Sequence, residues 1–480
     1  MRYIERDHII IALILCAALT ATIVSGAFLH DLRDLVLRVG DPSSSMAGDD
    51  PTSSFVGRGL NLLHHGTFGD NSTESSVQKG IVIRGPGYAF ALAVSFFLFG
   101  ENIISIIGLN FLFLCLAVLF LWRVSCRFWS GWWAFLPPFM LGVFWGSVSM
   151  VWVPNYEMFS LFFINLFLFL FLKYKESQNI KLLIGASIVF SILILERPIT
   201  LYFFPIAFLI VLCVHWNILR RKTIMLRLIV FLCIVGMIVG LWSLRNHYTM
   251  NTYQLGNGGL ILLRRASQAN FSFDELISMT LSFSAGDYLG SKMYSRFPEN
   301  AKPKTWDPAI ERRLESSGFY RKNWYLKDND GSMVSRVEFD RRLYEEAFFI
   351  IKKYPIKFFL TGLPNFFRLN SPMNYGGQEI MHLFVGTKNY IPAVLKILIL
   401  LSIRIIWYAF LAILLYGMIK HIKEWQTWGI ISMLIIYYNV MYVFLTHSEV
   451  RYALMIMPFY FLFFIEGVKL LYEKYPVSKT

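Results

Sequence analysis

The sequence predicts an all-α polytopic membrane protein with about ten transmembrane helices. Of its 480 residues, 56% are hydrophobic and 16% are charged, whereas soluble domains carry about 25% charged residues. Apolar runs at residues 8–29, 103–122 and 224–244 are each long enough to cross a hydrocarbon core of about 30 Å. Lysine and arginine also concentrate in alternate short connections, which is typical of chains that cross a membrane several times.

The predicted spans are separated by mostly short polar connections. They lie near residues 8–29, 103–122, 128–149, 157–172, 180–195, 200–216, 224–244, 392–419, 425–446 and 452–472. The first apolar run is too long for a signal peptide and lacks a clean small-residue cleavage site, so we expect an uncleaved first span.

The distribution of cations predicts the orientation. One set of short loops holds Arg123, Arg127, Lys173, Lys175, Lys181, Arg220, Arg221, Lys222, Arg227, Lys420 and Lys423. The opposite short loops, 150–156, 196–199 and 447–451, carry almost no Lys or Arg beyond Arg197 and Arg451. The positive-inside rule therefore places the N-terminus in the cytoplasm. It also explains the net charge of +14 without a nucleic-acid partner, because no basic stretch interleaved with aromatics forms a groove.

This orientation places two long loops outside the membrane, 30–102 and 245–391. The expected organisation is an N-terminal transmembrane module at 1–244 that includes the first loop, an extracytoplasmic loop region at 245–391, and C-terminal transmembrane helices at 392–480. We expect interfacial segments at residues 88–100 and 358–367, the latter preceded by a helix over 338–353 that Pro355 ends. None of the five cysteines lies in these loops, which fits a bacterial inner (plasma) membrane protein without a disulfide framework.

Candidate acids lie on the predicted outer side. Asp49 and Asp50 stand before Pro51, where a desolvated carboxylate could act as a general base or, alternatively, as an ordinary turn acid. Glu157 begins a span, where the helix dipole favours an acid; it could instead bind an acceptor or a divalent metal.

Candidate cations share that side. Arg84 begins the turn Arg-Gly-Pro-Gly-Tyr at 84–88 and could neutralise a phosphate or simply precede a helix. Arg197 has two candidate partners, Glu196 and an anionic lipid head group. The Gly258-Gly259 turn followed by the pair Arg264-Arg265 is suited to phosphate, although such pairs are also common on ordinary protein surfaces. The remaining candidates are Tyr88, Arg245, Arg451 and Tyr452. Arg404 lies within an apolar run, where it is either functional or snorkels to a shifted boundary.

These motifs, in this order, resemble the GT-C superfamily of membrane glycosyltransferases. The likeness is greatest to the branch of protein O-mannosyltransferases and aminoarabinose transferases, which use polyprenyl-phosphate sugars. The motifs that carry it are the acidic pair after the first span, residues 60–68, 84–88 and 98–102, Tyr156-Glu157, Arg197-Pro198, residues 242–246 and 345–355, and Arg451-Tyr452 with Pro458. Two departures are the five-residue spacing from Asp50 to Phe55 and a Gly85-Pro86 pair where relatives tend to have two prolines.

The resemblance implies a catalytic transmembrane module with an extracytoplasmic active site. By that resemblance Asp50 or Asp49 is the base of an inverting transfer from a polyprenyl-phosphate sugar to a lipid, glycan or protein acceptor. Arginines neutralise the phosphodiester leaving group, which needs charge compensation more than a proton; the candidates are Arg84, Arg245 and Arg451. Glu157 is implied for the acceptor or a metal. A lipid-linked glycan polymerase or ligase, and a lipid or solute transporter, are the alternatives.

Overall fold

The computed structural model is dominated by helices. It describes residues 2–29, 55–68, 85–207, 209, 221–256, 258–285, 319–320, 325–326, 336–372, 393–446, 448 and 450–474. Contacts within the chain divide it into two compact units: Met1–Leu255 with Tyr408–Ile435 and Leu454–Thr480, and Gly256–Trp407 with Ile436–Ala453. Each unit is described below by itself.

The helices of the first half run in the following order. They are α1 (Arg2–Leu29), α2 (Phe55–His65), α3 (Pro86–Phe99), α4 (Ile103–Ser125), α5 (Leu136–Val143), α6 (Trp145–Met150), α7 (Glu157–Ser177), α8 (Ile180–Glu196) and α9 (Arg221–Met250), with 3₁₀ turns at Gly131–Phe135 and Pro198–Phe203.

The second half continues with shorter helices before the last long ones. They are α10 (Gly259–Ser267), α11 (Phe273–Ala285), α12 (Arg336–Lys353), α13 (Pro355–Leu360), α14 (Gly362–Leu369), α15 (Ala393–Lys420), α16 (Trp425–Phe444) and α17 (Met457–Lys474), with 3₁₀ turns at Gln268–Asn270 and Val450–Met455. A short antiparallel hairpin, β1 (Phe319–Tyr320) with β2 (Tyr325–Leu326), was not predicted.

Six described helices are long and apolar enough to cross a membrane. They are Asp7–Gly26, Ile103–Ser125, Glu157–Ser177, Met225–Thr249, Ile397–Lys420 and Trp425–Phe444. All six coincide with predicted spans, so the chain is an integral membrane protein. The predicted total of ten is not confirmed.

The predicted span at 128–149 is not one continuous helix. It consists of the 3₁₀ turn Gly131–Phe135 followed by α5 and α6. Pro137 and Pro138 lack the backbone N–H that would join α5 to the preceding turn. Phe144 then adopts an extended backbone conformation with φ −62° and ψ 123° and separates α5 from α6. Hydropathy alone could not distinguish this broken segment from a continuous span, because both are equally apolar.

Three other predicted spans are also unconfirmed. Helix α8 has 17 residues and is therefore only about 26 Å long at ~1.5 Å per residue, slightly less than a typical hydrocarbon core. The predicted span at 200–216 is described as far as residue 207 and at 209, and begins with a 3₁₀ turn. Helix α17 covers the last one, but its C-terminal half carries four charged residues, Glu466, Lys469, Glu473 and Lys474.

The core of the first unit is built from aromatic contacts between α4, α7, α8 and α9. Phe159 of α7 meets Phe113 of α4 edge-on, with ring centroids 5.4 Å apart. Phe190 of α8 lies 5.2 Å from Phe167 and 5.9 Å from Phe231 of α9. Such pairs add packing energy beyond simple area burial, and they fix the helix ends that carry the charged residues.

Glu466 of α17 connects three elements at the predicted inner end of the first unit. Its Oε2 accepts a hydrogen bond of 2.6 Å from the indole Nε1 of Trp129. Its Oε1 lies 2.9 Å from Nε2 of His421, which follows α15. Trp428 of α16 packs on both the Trp129 and the His421 rings. The nearly buried carboxylate thus pairs with the Trp129 N–H and with His421 Nε2, which would otherwise be buried without these hydrogen-bond partners.

Glycines permit the backbones of α15 and α17 to touch nearby. A Cβ on Gly417 would lie 2.5 Å from the carbonyl oxygen of Phe463, and a Cβ on Gly467 would overlap the carbonyl of Ile413. Small residues at a crossing allow this close approach of transmembrane helices.

The second unit has its own core between α10 and α12. Leu263, Ala266, Leu343 and Ala347 are almost completely buried there. The predicted helix over 338–353 is confirmed, and Pro355 begins α13 rather than merely ending α12, because proline fits the first turn of a helix. Helices α13 and α14 expose apolar side chains such as Ile356 and Phe359, as expected for a segment that rests on a membrane.

We predict that Glu466→Ala lowers the thermal stability of the detergent-solubilised protein. The substitution leaves the Trp129 N–H without its acceptor, and an unsatisfied buried group costs about 1–3 kcal/mol. Glu473→Ala on the same helix is the matched control, because that carboxylate is 56% exposed and only 3.7 Å from Lys469; such surface pairs contribute about 0–1 kcal/mol. Equal denaturation midpoints for the two variants would contradict this role.

Candidate functional site

Four charged side chains are buried together at the predicted outer ends of α2, α7 and α8 in the first unit. We call Arg58, Glu157, Glu196 and Arg197 the outer charged cluster. Their exposed fractions are 1%, 1%, 3% and 4%. Two acids face two arginines, so the cluster is neutral overall, which is the condition under which buried charges are tolerated.

Glu157 and Arg197 form the ion pair of the cluster. The Arg197 Nη2 lies 3.6 Å from the Glu157 Oε1, and its Nε donates a 3.2 Å hydrogen bond to Ser160 Oγ. Ser160 lies three residues after Glu157 and so on the same face of α7. The Tyr156 ring lies 4.6 Å from the guanidinium carbon. Sequence reasoning offered Glu196 or a lipid head group as partners and missed Glu157, which is close to Arg197 only in three dimensions.

Glu196 caps the N-terminus of α3. Its Oε2 accepts a 3.0 Å hydrogen bond from the backbone N–H of Tyr88 and another from that of Gly87. The N-cap residue Gly85 supplies no side-chain cap, so an acid from another helix takes over that function. A carboxylate is favoured there by the helix dipole. Arg58 interacts electrostatically with the same carboxylate.

The close packing around residues 85–88 leaves no room for a side chain at either glycine of this turn. A Cβ on Gly85 would overlap the carbonyl oxygen of Leu195 and the Cα of Glu196. A Cβ on Gly87 would lie 2.8 Å from the Phe159 ring and 2.9 Å from the Glu196 Oε2. Gly85 has an ordinary φ of −68°, so lack of room and not backbone conformation requires glycine here.

Tyr88 is completely buried beneath this turn. Its hydroxyl donates a 2.9 Å hydrogen bond to Asn110 Oδ1, and the Asn110 amide donates to the carbonyls of Val151 and Val153. The Phe55 ring packs edge-on against Tyr88 at 5.3 Å. The contacts of Tyr88 are therefore those of a residue that positions α3, although the sequence proposed it for substrate binding.

Arg245 brings two of the sequence motifs together. Its Nη2 donates a 3.1 Å hydrogen bond to the carbonyl of Phe68, and its guanidinium lies over the rings of Trp242 and Phe68. Arg58 lies on the same Phe68 ring, 5.8 Å from its centroid. The motif at 242–246 thus contacts the one at 60–68, next to the outer charged cluster. The half-buried Arg245 side chain also keeps its contact with solvent.

The paired arginines of α10 have different environments in the second unit. Arg265 is completely buried, and its guanidinium donates 2.8 Å hydrogen bonds to the carbonyls of Val443 and Phe358 and a further one to Thr361. Burial lowers its pKa to about 9. Arg265 therefore holds α10, α13 and α16 together, while Arg264, the predicted phosphate ligand, is half-buried.

The side chain of Asp340, in α12, binds the glycine turn at 258–259 that precedes these arginines. Its Oδ1 accepts a 2.8 Å hydrogen bond from the backbone N–H of Gly259, with a second from Gly258, and burial raises its pKa. The sequence suggested that this glycine turn could bind phosphate. In the structure its N–H groups already bind a carboxylate.

The remaining predicted residues are either outside the described part of the chain or in the second unit. Asp49, Asp50 and Arg84 fall outside the described residues. In the second unit, half-buried Arg451 lies over the Tyr452 ring at 5.4 Å, and Tyr452 stacks on Tyr442. Arg404 is 5% exposed and donates a 3.3 Å hydrogen bond to the carbonyl of Phe283, so it is held inside the protein and does not snorkel.

The described part of the chain offers no metal centre built from side chains. Within it, no group of three or more His, Cys, Asp or Glu residues could hold an ion. Glu157, the candidate metal ligand, faces Arg197 instead.

Comparison with known proteins gives distant structural likenesses, two of which are the following. The chain is similar to the archaeal oligosaccharyltransferase AglB from Archaeoglobus fulgidus, solved in complex with an inhibitory peptide and a dolichol-phosphate, at 12% identity and a TM-score of 0.46, over 96% of this chain and 50% of that chain. It is also similar to the Archaeoglobus fulgidus oligosaccharyltransferase in the apo form, at 12% identity and a TM-score of 0.43, over 96% and 51%. The chain thus spans about half the length of these proteins. No protein-family model matches it, and no curated protein does.

We predict that Gly85→Ala destabilises the protein by about 1–3 kcal/mol, the usual cost of forcing extra atoms into packed structure. The added methyl group would push α3 away from the end of α8 and weaken the Glu196 cap. Gly108→Ala in α4 is the control, because a Cβ there meets nothing within 4 Å and alanine favours a helix interior by about 0.5–1 kcal/mol. Thermal unfolding in detergent measures both; a Gly85→Ala variant as stable as Gly108→Ala would refute the packing argument.

We further predict that Arg265→Lys destabilises the protein more than Arg264→Lys. A lysine ammonium lacks the planar fork that reaches three separate acceptors, and each buried carbonyl left unpaired costs about 1–3 kcal/mol. Arg264→Lys is the matched control, because the two variants have the same net charge and the same amino-acid composition. Comparable denaturation midpoints would show that the buried guanidinium does not hold α10 in place.

Proposed function

We propose that the chain is a GT-C-type membrane glycosyltransferase that moves a sugar from a polyprenyl-phosphate carrier to an extracytoplasmic lipid, glycan or protein acceptor. One observation carries the proposal. Tyr88, Glu157 and Arg197, motif residues that lie between 40 and 109 positions apart along the chain, contact one network around the turn at 85–88. A motif order that resembles the superfamily therefore corresponds to a common location in the fold.

The residues of the outer charged cluster act in this proposal as a scaffold. The outer charged cluster is buried and internally compensated, so its members position the backbone instead of contacting the substrate. The cluster anchors Gly85, the residue directly after Arg84. It also anchors, through Phe55, the start of α2, five residues after Asp50. Phe55 and Gly85, the described residues that follow Asp50 and Arg84 in the chain, are thereby attached to the same rigid site, which favours the precise placement that catalysis requires.

The chemistry is assigned to the acids of the first loop and to arginines outside the outer charged cluster. Asp50 or Asp49 takes the proton of the acceptor hydroxyl, whose oxygen attacks the anomeric carbon and expels polyprenyl phosphate with inversion. The leaving phosphate carries its charge away and needs no proton, so arginines are sufficient to stabilise it. Arg84 and Arg245 are the proposed phosphate ligands in the first unit, and Arg264 and Arg451 are the candidates in the second. The proposed location is a bacterial inner membrane, with the site outside.

The decisive experiment supplies radiolabelled polyprenyl-phosphate sugars to membrane vesicles and follows the label into lipid, glycan and protein fractions. Asp50→Asn and Asp49→Asn are compared with the wild-type chain. General base catalysis contributes about 10²–10⁴-fold, so one of the two variants is expected to lose transfer by that factor while donor binding is retained. Undiminished transfer in both variants would exclude these acids as the base. Parallel reactions with a chelator test whether transfer requires a divalent metal, the alternative role considered for Glu157.

The same assay separates the alternatives. A lipid-linked glycan polymerase or ligase would extend or transfer glycans without depending on Asp50, and a transporter would move the labelled lipid across the bilayer without forming a new glycosidic bond. Absence of transfer from every donor, with the protein folded, would favour one of these two classes.

A further inference from the structure

An apolar cavity lies at the opposite end of the first unit from the outer charged cluster. Its volume is about 330 Å³, and it is bounded by the C-terminal part of α7, by Ile206 and Leu209, and by residues 425–433 of α16. Phe171, Leu172, Ile430 and Met433 form much of its wall. Among its lining residues only Lys175 is charged. We call this cavity the inner groove.

The groove lies at the depth where a membrane changes from head groups to hydrocarbon. Lys175 is in the last turn of the spanning helix α7, and Trp425 is the first residue of the spanning helix α16. Trp425 is 46% exposed, and tryptophan is enriched at this level of a bilayer. The apolar wall extends from there along both helices toward the hydrocarbon. The cation distribution predicts that this end faces the cytoplasm.

The rim of the groove carries excess positive charge. Lys175 of α7 lines the groove, and Arg227 of α9 donates a 2.9 Å hydrogen bond to the carbonyl of Gln178 just after α7. The nearby acid, Glu176, is 2.6 Å from Arg127 and so is compensated by another arginine. An apolar cleft with a cationic mouth matches a ligand with a hydrocarbon chain and an anionic head.

We propose that the inner groove binds an anionic phospholipid of the cytoplasmic leaflet, with one acyl chain in the groove and its phosphate at Lys175. The lysine stem can lie along the apolar wall while its ammonium stays at head-group level. Basic pockets between transmembrane helices on the cytoplasmic side are suited to anionic head groups. This site is separate from glycosyl transfer, and its test requires no activity.

The experiment uses the full chain in nanodiscs that contain either phosphatidylglycerol or phosphatidylcholine with identical acyl chains. A phosphatidylglycerol carrying a photoactivatable diazirine in one chain is added at trace level, and cross-linked peptides are quantified by mass spectrometry. In phosphatidylcholine discs we expect cross-links on residues 425–433, and competition by unlabelled phosphatidylglycerol about fivefold stronger than by phosphatidylcholine, which is the contribution of one lysine near an anionic surface.

Two variants and one control make the test specific. Lys175→Gln should abolish the preference for phosphatidylglycerol. Gly429→Leu should abolish the cross-links, because the larger side chain fills the groove. Its Cβ is tolerated, since a Cβ at Gly429 makes only ordinary contacts with Trp425, at 3.5 and 3.8 Å. Lys173→Gln is the control, because Lys173 lies by the Phe169 ring and does not line the groove. This variant should retain most of the lipid preference and most of the cross-links. Equal competition by the two lipids in the wild type, or unchanged preference in Lys175→Gln, would overturn the proposal even if Gly429→Leu fails to fold.

Discussion

A helix that begins inside a protein must satisfy its first N–H groups, and both units of this chain meet that requirement with an acid from a different helix. Glu196 caps α3 in the first unit, and Asp340 caps α10 in the second. In each case glycines at the start of the helix allow the carboxylate to approach closely. The caps fix where two short helices begin, and the positions of the neighbouring arginines and aromatics follow from those starting points.

This constraint distinguishes charged residues that cap helices from charged residues that could contact a substrate. A helix N-terminus is a ready anion site, but at α3 and α10 a protein carboxylate already fills it. In the proposed reaction the carrier phosphate is therefore assigned to side chains, and arginine offers the planar double donor that phosphate favours. The sequence alone could not make this distinction, because a capping acid and a catalytic acid look the same until their partners are known.

The sequence was sufficient for six of the ten predicted spans and for the helix at 338–353, since length and periodicity depend on nearby residues. It was insufficient at 128–149, where apolar character hid a break caused by Pro137 and Pro138. The glycines at 85 and 258 were recognised as a turn signal, yet the acids that meet them come from distant helices. The partner of Arg197 was missed for the same reason, since only the packing of α7 against α8 brings Glu157 near. The proposed base is not among the described residues, so its assignment still depends on resemblance.

The hydrogen bond between Trp129 and Glu466 joins residues 337 positions apart, which gives it a meaning for biosynthesis. At about 5–20 residues per second, the ribosome needs on the order of tens of seconds after Trp129 before it adds Glu466. Throughout that interval the indole N–H of Trp129 lacks this acceptor. The polar contacts of the first unit are completed only after α17 has been synthesised, so a chain that stalls earlier leaves this N–H without the partner that it has in the finished protein.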